Sequence, residues 1–552
     1  VDSIYEGGYM DIKKILDDIK KEIKQTLLTM NYADSDFSVE LEVPGNKEHG
    51  DYSTNSALKV SKNAKKNPRI IAEEIISLLK NTELPIEKYE VAGPGFINMF
   101  LSKSIYFETL TEVLSKGTQY GTSSIGKGTR ILLEYVSANP TGYLHIGHAR
   151  GGAYGDSLAN ILEKAGYDVG REFYVNDAGN QMNNLGQSIK ARYMQELGME
   201  VEMPEDGYFG KEIVDIAKKL FVDCGKDMIE ESIDFFKDFG LKHLLKGLED
   251  HLTEYRIEFD KWFSERNLYD GDVQDTIKLL KSNGHLYQRE GATWMKTSEF
   301  FDEKDRVAIK SDGNYTYIVP DIAYHKNKFD RGYDILINVL GADHHGYMDR
   351  LKSTMAMIGK NPDGLEFQIL QMVRVYQDGK EIKMSKRSGK AIGLMDLIDE
   401  VGVDPIRYFF AARALSSPMD LDLDLALRKT NENPVYYAQY AHARISSIIR
   451  QYDNDITPLT SYNRLNDNSL ELLNILSQYK LVIEECAIKR IPHKLTNYIQ
   501  TLAGAFHSYY NKEKILSEDK EETIEKLNLI CAVQIVLKDA LTLIGVDSPE
   551  KM

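Results

Sequence analysis

Ile131-Leu132-Leu133-Glu134-Tyr135, Ser137-Ala138-Asn139-Pro140-Thr141-Gly142 and Leu144-His145-Ile146-Gly147-His148 succeed one another as an apolar run, a turn and a histidine pair that opens a helical pattern continuing past Ala149. This reads as a strand, a glycine-bearing turn and a helix N-terminus, where backbone N–H groups and the helix dipole favour a bound phosphate. Outward from that unit the alternation continues, with a helical pattern over 151–165 and strand-like runs over 172–175, 333–340 and 367–375. Strands and helices in alternation predict an α/β fold built on a parallel sheet with helices on both faces.

Far downstream, Lys383-Met384-Ser385-Lys386-Arg387 follows the strand-like run 369–375 and reads as a lysine-bearing loop. Together the two segments resemble the HIGH and KMSKS motifs of class I aminoacyl-tRNA synthetases, and that resemblance implies attack of a carboxylate on the α-phosphorus of ATP, which two imidazoles and two ammonium groups suit. That reaction loads charge onto phosphate oxygens, and the protein's part is to position and neutralise. His145 and His148 would donate from one side, and Gly147 lets a nucleotide approach the backbone. Lys383 and Lys386 would hold the departing pyrophosphate from the other side as compact charges. The expected ATP-contacting set is Pro140, Thr141, Gly142, His145, Gly147, His148, Lys383, Met384, Ser385 and Lys386, with His145, His148, Lys383 and Lys386 catalytic. Taken singly, His-x-x-His also fits a metal pair and Lys-Met-Ser-Lys a solvated loop. No glutamate lies between the histidines and no third ligand is evident nearby, so no metal centre is expected.

A chain of 552 residues predicts three or four domains. Cys224, Cys486 and Cys531 are scattered, which argues against a disulfide framework and a zinc knuckle. No apolar stretch approaches the ~18–20 residues that span a membrane, so a reducing, cytoplasmic compartment is expected. Residues 1–9 precede Met10 and are read as an extension outside the fold. The formal net charge of −17 leaves nucleic-acid binding to local basic patches. One is Lys59, Lys62, Lys65, Lys66 and Arg69, which would line one face of a helix. Another is Tyr436, Tyr437, Gln439, Tyr440, His442, Arg444 and Arg450, which mixes stacking rings with cations. Each also reads as a solvated helix face.

Helical spacing over 10–31, strand-like alternation over 37–43, a helix over 68–80 and a strand over 88–101 broken at Gly93-Pro94-Gly95 make an α+β domain, 10–105. The strand-and-helix alternation fills 106–403, with a charged helical insertion expected at about 208–287. After Asp404-Pro405-Ile406-Arg407 strands are expected to stop, and helices over 434–451, 469–487, 492–511 and 523–544 form a bundle, 404–552.

The paired motifs resemble the HIGH and KMSKS signatures of class I aminoacyl-tRNA synthetases, with Arg387 in place of the final serine. Four further segments sharpen the likeness: 134–140, Tyr174-Val175-Asn176-Asp177-Ala178-Gly179-Asn180-Gln181, Tyr317-Ile318-Val319-Pro320-Asp321-Ile322-Ala323-Tyr324-His325 and 433–444. With Gly50-Asp51-Tyr52 and Gly93-Pro94-Gly95-Phe96-Ile97-Asn98, they resemble the arginyl-tRNA synthetase family of bacterial type over nearly the whole chain. The resemblance implies a Rossmann-like catalytic domain, an α+β N-terminal domain that contacts tRNA, and an all-α C-terminal anticodon-binding bundle. It implies ligation of L-arginine to tRNA(Arg) through arginyl-adenylate, with ATP and Mg2+ as substrate complex, no zinc or organic cofactor, no membrane and a monomeric state. Glu134 and Asp321 match the carboxylates that face the guanidinium, Tyr317 stands beside it, and Asn139 matches the residue that holds the α-amino group. Ser137 and His145 complete the implied substrate set. Implied tRNA contacts are Asp51, Tyr52, Lys62, Tyr436, Tyr440 and Arg444. Asp404-Pro405-Ile406-Arg407 stands where the family's anticodon domain has its Asp-Ala-Leu-Arg signature.

Two carboxylates can meet a planar, five-donor guanidinium with paired charge-assisted bonds that a lysine ammonium cannot reproduce. The residue-level alternative for Asp321 is a helix N-cap. Competing functions are another class I synthetase, such as the cysteinyl enzyme, which the lack of a Cys/His zinc constellation disfavours, and a catalytically silent tRNA-binding relative, which the intact histidines and lysines disfavour.

Overall fold

The computed structural model describes residues 11–383 and 392–552 of the chain. Asp11 caps the first helix, α1 (Ile12–Thr29), by accepting from Lys13 N at 2.9 Å, and Ile12, Ile15, Leu16, Ile19, Ile23 and Leu27 form its buried stripe. β1 (Tyr52–Thr54), α2 (Ser56–Ala64), α3 (Pro68–Leu79), β2 (Ile86–Ala92) and β3 (Phe96–Leu101) follow, the strands pairing antiparallel in the order β1-β3-β2. The stretch 88–101, expected as a strand with a turn or bulge at Gly93-Pro94-Gly95, is a hairpin that turns there. At its turn Gly95 has φ 140, and a Cβ there would stand 2.7 Å from the Pro68 ring. Residues 37–42 alternate in burial, with Val39 inward, until Val43 breaks the pattern by facing outward, and among the described residues they make only the isolated bridge Glu42↔Ser53. Alternation fixes which side chains go inward, whereas a strand also needs a ladder, and Pro44 ends the donors.

α4 (Lys103–Lys116) leads into β4 (Arg130–Glu134), α5 (Ile146–Lys164), β5 (Asp168–Val175), α6 (Asn180–Glu196), α7 (Lys211–Cys224), α8 (Ile233–Glu254) and β6 (Lys261–Ser264). α9 (Asp272–Ser282), an antiparallel triplet β7 (Leu286–Arg289), β8 (Ala292–Met295) and β9 (Arg306–Ile309), α10 (Ile318–Asp330), β10 (Ile335–Gly341), α11 (Met348–Met357) and β11 (Leu365–Leu370) complete this part. Among the described residues the central sheet is parallel, in the order β11-β10-β4-β5-β6. The chain runs from β4 to one edge and then returns to build the other half from β10. The strand order thus reverses between β4 and β10, and the crevice beyond their C-terminal ends is where open α/β sheets bind ligands. The stretch 208–287 is helical only in part, because β6 pairs with β5 at the sheet edge. Four residues are too few to show a period.

The expected strand 367–375 breaks at Gln371-Met372. β12 (Val373–Gln377) leaves the central sheet and pairs with β13 (Lys380–Ile382) and with β14 (Met419–Asp422), a strand inside the region expected to have none. Arg150 explains the break. Its buried guanidinium rises from α5 and donates to the carbonyls of Gln371 (3.0 Å), Ala414 (2.8 Å) and Ser417 (2.8 Å), which fixes the corner from which both strands start.

α12 (Leu394–Val401), α13 (Val403–Ala411) and α14 (Leu423–Leu427) connect to a bundle of α15 (Pro434–Tyr452), α16 (Asp467–Ser477), α17 (Tyr479–Lys489), α18 (His493–Lys512) and α19 (Lys520–Leu543). The run 469–487 splits at Gln478, where buried Tyr479 turns its hydroxyl to Asp539 on α19 at 2.5 Å. Arg407 pins the bundle to the sheet. It is fully buried, donates to the carbonyls of Ile544 (2.9 Å) and Tyr255 (3.0 Å), and pairs with Asp156 on α5. No helix among the described residues is long and apolar enough to cross a membrane.

Candidate active site

β4 delivers Glu134 to the crevice, and the chain then turns through two non-glycine residues in the left-handed region, Val136 (φ 67) and Ser137 (φ 38). A β-branched residue there is strained, and such strain concentrates at binding sites. The turn sets the Ser137 hydroxyl between Glu134 Oε1 (3.0 Å), to which it donates, and Tyr174 N (3.1 Å), from which it accepts. Pro140 is buried, Asn139 is exposed, and Thr141 and Gly142 are half-buried on the way to α5.

His145 is the N-cap of α5 and His148 its third residue, and they cap each other's turn. Nδ1 of His145 accepts from Gly147 N at 3.0 Å, and Nδ1 of His148 accepts from His145 N at 3.2 Å. With both Nδ1 atoms acting as acceptors, each neutral ring carries its proton on Nε2. Burial pushes His148 down to about 3, with His145 adding to the shift, and lowers His145 as well. The rings stack 3.7 Å apart, so the first turn presents a pair of neutral Nε2–H donors. Gly147 has a further role that its spacing did not reveal, since a Cβ there would stand 2.9 Å from the His145 ring.

The chain just past the second motif is tied to the first motif by the backbone. Ile146 N donates to Ile392 O at 3.2 Å and Leu394 N to Leu144 O at 2.8 Å, while the near end leaves β13 through the exposed Lys383. Met384, Ser385, Lys386 and Arg387 lie outside the described residues.

At the C-terminal end of β4 the crevice holds a set of acids. Glu134 pairs with Lys328, and Asp321 accepts from the Tyr347 hydroxyl. Burial pushes Asp321 up to about 6; the Tyr347 hydrogen bond opposes this, while the charges of Glu134 and Glu265 add to it. α10 begins at Ile318 with Tyr317 in the capping position, so Asp321 sits in the first turn but is not the N-cap. Glu265, just past β6, is also raised by burial, and the hydroxyls of Tyr174 and Tyr269 face it. Tyr317 stands on the rim, 66% exposed, with its hydroxyl accepting from Arg350 at 2.5 Å and its ring 5.9 Å from that of Tyr347. Glu265, Lys328 and Tyr347 escaped sequence reasoning. Lys328 shares a helix face with Asp321 at i+7, a legible signal; Glu265 follows a strand too short to recognise.

The surfaces expected to meet RNA divide. Tyr436 and Tyr440 stack on α15 at 5.9 Å and 11°, and Arg444 lies 4.5 Å over Tyr440 and 4.7 Å over Tyr510. His442 and Gln439, counted on that face, turn inward to Pro549 O and Asp404. Lys62 is exposed on α2, but the stretch is not one helix: Lys65 ends α2 with φ 51, Lys59 pairs with Glu40 at 2.6 Å and Lys66 with Glu74 at 2.8 Å. Asp51 and Tyr52 are engaged within the fold. Tyr52 is 5% exposed, and the Asp51 carboxylate accepts from Leu101 N (2.8 Å) and Asn474 (3.3 Å). Asp51 thereby joins the first sheet to α16, while Tyr52 packs in the core.

Three family models match the chain in succession: an arginyl tRNA synthetase N terminal domain over residues 14–101, a class I (R) tRNA synthetase catalytic domain over 109–407, and a DALR anticodon binding domain over 438–552. Among curated relatives, the arginine–tRNA ligase of Bacillus licheniformis is 48% identical over 98% of this chain and 100% of its own length. That of Bacillus subtilis is 48% identical over 98% of this chain and 99% of its own. The solved arginyl-tRNA synthetase of Thermus thermophilus matches in fold with a TM-score of 0.75 at 20% identity, covering 97% of this chain and 100% of that one.

Proposed function

The chain belongs to the arginyl-tRNA synthetase family and ligates arginine to tRNA with ATP as substrate, and on that premise we propose how its residues divide the work. The observation that carries the reading is the cluster of Glu134, Asp321 and Glu265 at the crevice where the sheet reverses, with Glu134 ending the strand whose following turn leads into the two Nε2–H donors. The guanidinium of L-arginine enters between Asp321 and Glu134, with Glu265 as a third carboxylate that sequence reasoning did not include. Tyr317 closes the rim, Ser137 fixes Glu134, and Asn139 receives the α-amino group.

With the side chain so held, an oxygen of the arginine carboxylate attacks the α-phosphorus of ATP. The new P–O bond forms as the bond to pyrophosphate breaks. His145 and His148 donate to phosphate oxygens at the helix N-terminus, and as neutral donors they need not lose a proton to do so. Pro140, Thr141, Gly142 and Gly147 shape the nucleotide's seat, and Mg2+ arrives with ATP as part of the substrate. Lys383 and Lys386, with Met384 and Ser385, hold the departing pyrophosphate. In the second step a terminal ribose hydroxyl of tRNA(Arg) attacks the arginyl carbonyl, and AMP leaves.

The division into an N-terminal unit over 10–105, a catalytic unit over 106–403 and an anticodon-reading bundle over 404–552 belongs to the same proposal. So do RNA contact at Lys62, Tyr436, Tyr440 and Arg444, a cytoplasmic location and a monomeric state. The stacked tyrosines with Arg444 above them offer bases a face and phosphates a charge. A screen of all standard amino acids for ATP–pyrophosphate exchange, with and without total tRNA, tests the reading. Among the amino acids only arginine should give exchange; exchange with another amino acid and not arginine would refute it.

A further inference from the structure

α10 carries Asp321, Tyr324, His325 and Lys328 at i, i+3, i+4 and i+7, so one helix face brings a carboxylate, a phenol, an imidazole and an ammonium to the crevice between β4 and β10. Lys328 stands out. Its side chain is 1% exposed, and a buried ammonium persists only where it is paired and hydrogen-bonded. Nζ donates to Glu134 Oε2 and, at 2.9 Å, to Asn338 Oδ1, and lies 4.1 Å from the centre of the Tyr324 ring. An ammonium has three donors, and here they are spent on a carboxylate, an amide oxygen and an aromatic face, so none is left for a substrate.

The supports are themselves held. Tyr324 donates to buried Glu172 at 2.8 Å, and Arg331 grips the same carboxylate with both ends of its fork, at 2.6 and 2.9 Å. Asn338 must turn its oxygen to Lys328, which leaves its NH2 group toward His325, whose Nδ1 lies 2.9 Å from the Asp321 carbonyl oxygen. Glu134 is pinned from two sides, by Lys328 on one oxygen and Ser137 on the other. A carboxylate offers about four lone pairs, so the remaining ones face the crevice for an incoming donor.

We propose that Lys328 is a positioning residue that determines arginine specificity: it holds Glu134 in the orientation that meets the guanidinium. The inference rests on the placement of the guanidinium given above. It assigns Lys328 no contact with substrate; the effect passes entirely through Glu134.

Kinetics of Lys328→Met, Glu134→Gln and the double variant in the full chain, with tRNA present, test the proposal. Methionine keeps the length and apolar bulk of lysine without its charge. Lys328→Met should raise KM for arginine about tenfold or more and move KM for ATP less than about twofold, a split that a general loss of structure does not give. In the Glu134→Gln background the same change should add less than about threefold, because the residue through which Lys328 acts has already lost its charge. If Glu134→Gln raises KM for arginine while Lys328→Met leaves it unchanged, raises both constants alike, or multiplies with Glu134→Gln, the proposal is overturned. Should Lys328→Met alone fail to fold, the double variant decides. A KM for arginine within about threefold of Glu134→Gln supports the role, whereas a far larger loss or failure to fold overturns it. An unchanged KM in Glu134→Gln would instead overturn the placement of the guanidinium, so the two failures are distinct.

Discussion

Asp321→Asn should make the enzyme more stable and nearly unable to bind arginine. Burial pushes the Asp321 carboxyl from 3.8 up to about 6, and each pKa unit corresponds to 1.36 kcal/mol between the two protonation states. The folded value lies above the unfolded one, so the folded chain prefers the protonated acid. The penalty is absent at low pH, grows as pH rises from about 4 to 6, and above 6 amounts to roughly 2–3 kcal/mol. Asparagine removes the charge yet keeps an oxygen for the Tyr347 hydroxyl. At pH 7.5 its unfolding midpoint should rise by a few degrees, and at pH 4 the gain should shrink to roughly 0.5 kcal/mol. KM for arginine should rise about 10²-fold, the loss of one charge-assisted partner of about 3 kcal/mol, while KM for ATP stays within twofold. In the parent enzyme, arginine affinity should fall about tenfold per pH unit below 6 as Asp321 protonates, and the variant should lack that limb. Thermal melts at the two pH values and steady-state kinetics check this. A variant that is less stable at pH 7.5 and loses arginine and ATP affinity alike would refute the reasoning.

Lys386→Ala should lower turnover by ~10²–10³ with little change in arginine binding, since the charge it meets develops only in the transition state; single-turnover rates beside equilibrium arginine titration separate the two. Exchange of pyrophosphate with arginine and ATP should depend on added tRNA, as RNA contacts bias a loop between two states; robust exchange without tRNA would remove this expectation. Gly545→Ala should destabilise the junction of bundle and sheet by about 2 kcal/mol or more, because Gly545 has φ 68 and a Cβ would stand 2.1 Å from Arg407 Nε. Limited proteolysis should then cut between α5 and α19 more readily, and a variant as resistant as the parent would count against it.

What the sequence determined by itself were the features whose signal is local. The stripe of Ile12, Ile15, Leu16, Ile19, Ile23 and Leu27 made α1 legible, and the succession of apolar run, glycine turn and histidine pair made the β4–α5 unit legible, because side chains three and four apart share a helix face whatever surrounds them. Tertiary structure alone decided the rest. β6 and β14 are four residues each and exist only through the strands beside them, and the run 369–375 breaks because a guanidinium 221 residues away in sequence claims the carbonyl of Gln371. Asp51 and Tyr52 look like surface polar residues until Asn474, 423 residues on, closes over them. The raised carboxyl of Asp321 and the pairing of Glu134 with a lysine 194 residues distant follow the same rule. Periodicity records which way a side chain points, but burial, protonation and partner are set by distant segments that the fold brings to it.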